Sequence, residues 1–346
     1  AWFARFTQYE FYAQDNWRVA RNLTLDLGLR YVVFQPIYSA LGNFTTFIPQ
    51  LFNISAAPIV NSNGTLAPGT GDPYNGIRIL GGGWPEAARG RIPQAFDPQF
   101  DRLFADLPRG SYPTRFNNFS PRIGIAYDPF GRGRTSIRAG FGMFYDLLRT
   151  DVLGGSSGNP PFQQSVTLFD GNIDQPGGGV ARAGSPTNLS FISTNMNQPA
   201  SYSYNLNVQH QFGNNVLVDV GYVGTMGRRL IRTLNLNQLR PGTRLNPPNS
   251  GVNANALRTY PGYANLNMQE AGDNSNYNSL QISVSRRMSR GLQFGVNYTF
   301  SKTMDTTSGS PQDIYNVRAD YALSSIHRAN MLNFNYVWEV PFLRRH

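Results

Sequence analysis

Cysteine is missing from this 346-residue chain, which excludes disulfides and thiolate metal sites and leaves the redox compartment open. Charge is scarce. Only 14% of residues are charged, and the net +10 is carried almost wholly by arginine, since Lys302 is the only lysine. Histidine occurs at His210, His327 and His346 alone, without the spacing of a zinc site. There is no run of about 18 apolar residues, so helical membrane spans are not expected. No Gly-x-Ser-x-Gly elbow or Walker sequence is present. The glycine triplets at 81–83 and 177–179 read as flexible loop. Asp170-Gly171-Asn172-Ile173-Asp174 lacks the distal Glu of a calcium loop and reads as a turn. The chain is expected to carry no enzyme activity, no metal and no cofactor.

Aromatic residues are abundant at 13%, and Gly, Pro and Asn suit turns and long loops. The most telling segment is Leu23-Thr24-Leu25-Asp26-Leu27-Gly28-Leu29-Arg30-Tyr31, apolar at every odd position and polar or small at every even one. A strand has a period of two, so one face is apolar and the other polar. The pattern returns in hairpins at about 6–34, 120–148, 202–227 and 277–305, and in a ninth strand at about 328–340. Short turns join the strands of each hairpin, at 20–22, 129–133, 213–215 and 289–291. Segments rich in Gly, Pro, Asn and Ser separate the hairpins, at about 39–118, 149–201, 230–276 and 306–327. A short strand is expected at 164–169.

Structureless loops of this length are unusual in compact soluble domains but normal on one side of an outer-membrane barrel. The expected fold is therefore all-β: an antiparallel up-and-down transmembrane β-barrel portion, about nine to ten strands of a larger barrel. Its short turns would be periplasmic and its long loops extracellular. The chain opens inside a strand-like segment, ends just after Pro341 and leaves its last strand without a partner, so a fragment of a longer protein is expected.

Inward positions would carry any solute contact. Arg30, Arg122 and Arg138 come from separate strands and are candidates for an anionic solute or an internal plug. The plainer reading pairs them with Asp26, Asp128 and Asp146. Tyr74 and Trp84, in the first long segment, are candidate stacking residues or loop-packing residues. Tyr31, Tyr145, Tyr222 and Tyr298 recur late in the second strand of each hairpin, as in a boundary girdle. Gly28, Gly140 and Gly221 recur on the polar face, where glycine permits bending or close packing. The arginines form no basic block interleaved with aromatics, so nucleic acid is not an expected partner. Outer-membrane lipid and lipopolysaccharide are.

These segments resemble a known family. Phe11 to Trp17 with Leu23 to Tyr31, Phe119 to Gly124 with Ala126 to Gly131, Asn205 to Gln211 with Val218 to Gly224, Asn276 to Gln281, Tyr298 to Lys302, and His327-Arg328 followed by Val340-Pro341-Phe342 are similar to the barrel of TonB-dependent outer-membrane receptors of the Oar-like kind found in Acidobacteria. The resemblance implies a barrel of roughly 22 strands around a plug, in the cell outer membrane of a Gram-negative bacterium. It also implies transport of a scarce solute energised through the TonB system. No segment here matches a plug, a TonB box or the family's regulatory-like domain. The partners expected are the TonB system, through a plug absent from this chain, and an unknown solute. Two other functions are open on the residues: a barrel-anchored surface adhesin or assembly scaffold acting through its long loops, and a soluble β-sandwich. The last requires a second sheet over the apolar faces.

Overall fold

The computed structural model describes residues 3–148, 155–163, 168–169, 172–175, 180–181, 184–306 and 310–340. The expected features at 164–167, 170–171, 177–179 and 341–346, His346 among them, lie outside these residues. Nine long strands organise the rest: β1 Gln8–Ala20, β2 Leu23–Phe34, β3 Arg115–Tyr127, β4 Thr135–Tyr145, β5 Ala200–Phe212, β6 Val216–Asn235, β7 Tyr263–Ser289, β8 Leu292–Asp305 and β9 Asn330–Trp338. Each pairs antiparallel with the next, giving one up-and-down sheet. Its edges, β1 and β9, do not pair with each other, so the sheet is a wall and not a closed barrel.

Register shows why the alternation matters. Leu27, Ile123, Phe141 and Tyr204 lie side by side across four strands. One residue along, Gln14, Gly28, Arg122, Gly142, Ser203 and Thr225 form a polar row on the opposite face. A one-residue slip would exchange the faces of every strand, so the pattern fixes the register. No second sheet covers the apolar face among the described residues: Leu332, Phe334 and Tyr336 stand exposed along β9. This removes the soluble sandwich.

The short turns all lie at one end of the sheet. The Asp128 carboxylate accepts the backbone N–H groups of Phe130, Gly131 and Gly133, and so organises the second turn. Arg290 and Gly291 both have positive φ, +53° and +76°, as a two-residue hairpin turn requires.

At the other end the strands run further than their alternation marks. β6 continues to Asn235 and β7 begins at Tyr263, both inside the segment expected to be loop. The pair is interrupted by a register shift around Arg229, whose φ is +57°. Beyond it the alternation fades because the surroundings change: Leu234 is buried, Leu266 packs in a cluster with Phe47 and Ile77 from the connecting segments, and Arg232 pairs with Glu270 and Asp273. A further strand, Thr187–Ile192, lies parallel to the first residues of β7. Thr45–Phe47 pairs with Ile77–Ile79, and Leu168–Phe169 with Val180–Ala181.

The buried core lies in these connecting segments. Ile37, Phe44, Leu80, Tyr112, Leu148, Ile192 and Met196 form one cluster. Phe47, Ile77, Leu189, Phe191, Tyr263 and Leu266 form a second, and Leu41, Ala88 and Ile92 a third. The long segments thus build a folded cap over one end of the wall.

Candidate functional site

The polar face of the wall carries the expected inward residues. Gly140 lies opposite Asn205 and Gly221 opposite Asn207. A Cβ at Gly140 would meet Asn205 Oδ1 at 2.7 Å, and one at Gly221 would meet Asn207 Nδ2 at 3.0 Å. These glycines leave room for cross-strand amides. At Gly28 the nearest atoms are at 3.7 Å, so an added Cβ would fit there.

Arg30 and Arg122 are brought together. Both line a cavity of about 120 Å³ with Gln8, Glu10, Ser120 and Phe144. Arg30 pairs with Glu10, and the Arg122 guanidinium sits 4.8 Å from the centre of the Phe144 ring. The pairing of Arg30 with Asp26 does not form, for a geometric reason. Two residues four apart on one strand are separated by about 13 Å, whereas Glu10, diagonally across the ladder, is within reach. Asp26 instead accepts from Asn16, and Asp128 serves its turn. Among the described residues no acid pairs with Arg122 or Arg138. Arg138 stands apart, beside Asn207 and four residues along β4 from Gly142, the register partner of Arg122. That places it about 13 Å lower on the wall.

A second hollow, of about 330 Å³, opens lower on the same face, and its lining includes Asn207, Gln209, Asp219, Gln281, Ser283 and Asn297. Amides and hydroxyls dominate, with Asp219 the single carboxylate. The signal for it was present in the Asn, Gln and Ser residues at inward positions of β5 to β8, but no single residue type marks it.

Tyr74 and Trp84 sit in the cap and hold the same short helix, Pro98–Leu103. Tyr74 packs edge-on against Phe100, with ring centroids 5.8 Å apart. Trp84 donates Nε1–H to Asp101 Oδ1 at 2.9 Å and meets Phe104 and Phe162 edge-on. Nearby, Arg102 donates to Asp72 at 3.0 Å. Partial burial opposes ionisation of Asp72, but the Arg102 hydrogen bond, the Tyr74 backbone N–H and the charges of Arg102 and Arg78 outweigh it. The carboxyl sits below its ordinary value. Burial, with the Asp72 charge, raises the Tyr74 phenol. Burial also pushes Tyr112 up to about 12 and raises Tyr263, whose hydroxyl donates to Asn75 O at 2.8 Å.

Of the four tyrosines expected as a girdle, Tyr31, Tyr222 and Tyr298 alternate onto the apolar face, while Tyr145 borders the cavity that holds Arg30 and Arg122. Tyr31 stacks on Phe119 at 4.7 Å, and Tyr222 donates to Asn278. His210 contacts Thr135 and Phe212, and His327 Nδ1 accepts the Thr303 N–H. Among the described residues no group of three or more His, Asp or Glu side chains could hold a metal ion.

No curated protein sequence matches this chain. Among solved structures, the alcaligin outer-membrane receptor FauA from Bordetella pertussis aligns with 98% of the chain at 12% identity and a TM-score of 0.41. The copper transporter OprC aligns with 97% at 10% identity and 0.45. The ferripyoverdine receptor of Pseudomonas aeruginosa aligns with 98% at 10% identity and 0.42. The chain spans 35%, 34% and 27% of those three structures. The model of one protein family, described as outer membrane beta barrel domain, matches residues 2–346. A two-faced antiparallel wall that this model matches almost end to end belongs to the outer membrane beta barrel domain family, and its place is the outer membrane.

Proposed function

We propose that this chain is part of the wall and the extracellular cap of a TonB-dependent transporter, which moves a scarce solute across the outer membrane. The plug and TonB box would lie elsewhere in the whole protein, and the Oar-like resemblance is the sequence support for that. The observation that carries the reading is the polar face itself. It is spaced by glycine, presents Arg30 and Arg122 on one cavity, and lies opposite an uncovered apolar face. A wall needs such a lining only where water and solute or a polar plug occupy its inner side. Arg122, charged and without an acidic partner among the described residues, is the residue best placed to meet an anionic solute or an acidic plug side chain.

The test is uptake by cells that express the whole protein, with and without TonB. Ferric siderophores and copper, named for the solved structures above, are the first probes. The expected result is accumulation that requires TonB and falls in Arg122→Gln at unchanged surface abundance. Accumulation that is equal with and without TonB would reject the reading.

A second reading is favoured by the folded cap. A surface adhesin or scaffold needs a shaped, stable exterior, and the three buried clusters provide one. Deletion of 39–114 that abolishes attachment while sparing uptake would favour it.

A further inference from the structure

The cap holds a hollow of its own, of about 580 Å³, larger than the hollows of about 120 and 330 Å³ on the wall. Segments distant in sequence enclose it, at 41–43, 91–94 and 157–163. One side is apolar and firmly backed. Leu41 and Ile92 belong to a single buried cluster, Phe162 packs against it, and Trp84 meets the Phe162 ring edge-on at 6.0 Å. Gln94 Nε2 donates to Pro161 O at 2.7 Å and so ties 91–94 to 157–163. Asn159 fastens the latter to the strand Thr187–Ile192: its Oδ1 accepts the Ser190 N–H at 3.1 Å, and its Nδ2 donates to Ser190 O at 2.8 Å. The hollow is therefore preformed, and its volume lies in the range of small-ligand pockets, roughly 300–1,000 Å³.

The lining selects the ligand by charge. Arg91 is its only charged residue; no Asp, Glu or Lys borders the hollow. Arg91 is exposed, and among the described residues no acid pairs with it. A ligand amine would find no carboxylate here, whereas a ligand carboxylate would find a guanidinium able to hold it through two hydrogen bonds. The rest of the polar lining is amide and hydroxyl, with Gln94 and Gln163 prominent. Side-chain amides offer both a donor and an acceptor, as the groups of a peptide backbone require. A plain aliphatic acid would desolvate these amides without pairing them, and a multiply charged anion would have one cation to share.

We infer that this hollow binds the C-terminal end of a short peptide whose last residue is apolar. Arg91 holds the terminal carboxylate, Gln94 and Gln163 meet the last peptide groups, and the last side chain lies against Leu41, Ile92 and Phe162. The amino end points outward, away from a lining that has no acid to receive it. The site deepens the transport reading and rests on it only in making the peptide the solute; binding itself requires no TonB.

The test is calorimetric titration of the whole protein in nanodiscs with the tetrapeptide Ala-Ala-Ala-Leu. Its C-terminal amide, Ala-Ala-Ala-Gly and octanoate are the comparison probes. The free acid is expected to bind about 10- to 100-fold more tightly than the amide. It should also bind about tenfold more tightly than the peptide ending in glycine. Arg91→Gln should reduce binding of the free acid to that of the amide and leave the amide unchanged. Arg89→Gln, at an exposed position outside the lining, should change nothing. Equal wild-type affinity for acid and amide, or no binding of either, overturns the site even if Arg91→Gln fails to fold. Octanoate bound as tightly as the tetrapeptide overturns the peptide assignment, and a folded Arg91→Gln that binds like wild type overturns the role of Arg91. Uptake of the labelled tetrapeptide with and without TonB is read separately: tight, carboxylate-dependent binding with TonB-independent uptake upholds the site and rejects the transport reading.

Discussion

The wall and the cap invert each other's rule of burial. In the wall, large apolar side chains are the exposed ones: Leu332 is 68% and Phe334 61% accessible. In the cap, Phe44, Ile79 and Leu266 are 0% accessible, within segments whose composition reads as loop. Each region obeys the solvent it meets. The apolar face of the wall is satisfied by lipid and needs no second layer. The cap stands in water and has to bury its own apolar residues.

Four experiments on the whole protein break or sharpen this contrast. The largest effect is expected from Phe44→Ala. Truncating a fully buried ring should destabilise the cap by about 3–5 kcal/mol. Limited proteolysis should then cut within 37–112 while the barrel keeps its heat-modifiable gel mobility; simultaneous loss of both would show that cap and wall do not fold as separable layers.

Phe334→Arg places a charge in the exposed belt of β9 and should cost about 2–4 kcal/mol in bilayer unfolding titrations. Asn333→Arg, on the opposite face, should cost far less. Similar costs for the two would undo the assignment of faces.

Alkaline pH should act on the cap alone. The Tyr112 phenol is neutral in the fold and raised from 10.0 to about 12. Its contribution is therefore complete below pH 10 and is lost as pH rises toward 12. Tyrosinate absorbance should show a late-titrating phenol that vanishes in Tyr112→Phe.

The smallest effect belongs to Asp72→Asn. The Asp72–Arg102 pair is partly exposed, so its loss should cost under about 1 kcal/mol. Because the folded carboxyl lies below its ordinary value, its stabilisation is present above that value and is lost as pH falls through the lowered one. The protection factors of the 98–104 amides, corrected for the intrinsic pH dependence of exchange, should fall with acid in wild type and lose that dependence in the variant.

The wall was legible because its information is local. Leu23 to Tyr31 reveals two faces without knowledge of any partner, and the turn at 213–215 announces its hairpin. The face of Arg30 followed from parity alone. Its partner did not, because Glu10 is reached across a ladder whose register sequence does not display. The cap was illegible for the same reason on a larger scale. Ile37, Phe44 and Ile192 have no shared period, and they meet only because distant segments converge. Tyr74 and Trp84 were visible as aromatic residues in a loop, while the helix at 98–103 that occupies them was not.

β7 is 27 residues long, and such a strand reaches up to about 90 Å, against an apolar band about 25 Å tall. Much of it, with β6, therefore rises out of the bilayer as a mast to which Thr187–Ile192 is laced by its own ladder. The cap is thus rigged to a spar stepped in the membrane wall. To swing aside, it has to unlace that ladder or bend the mast at the irregular joint around Arg229.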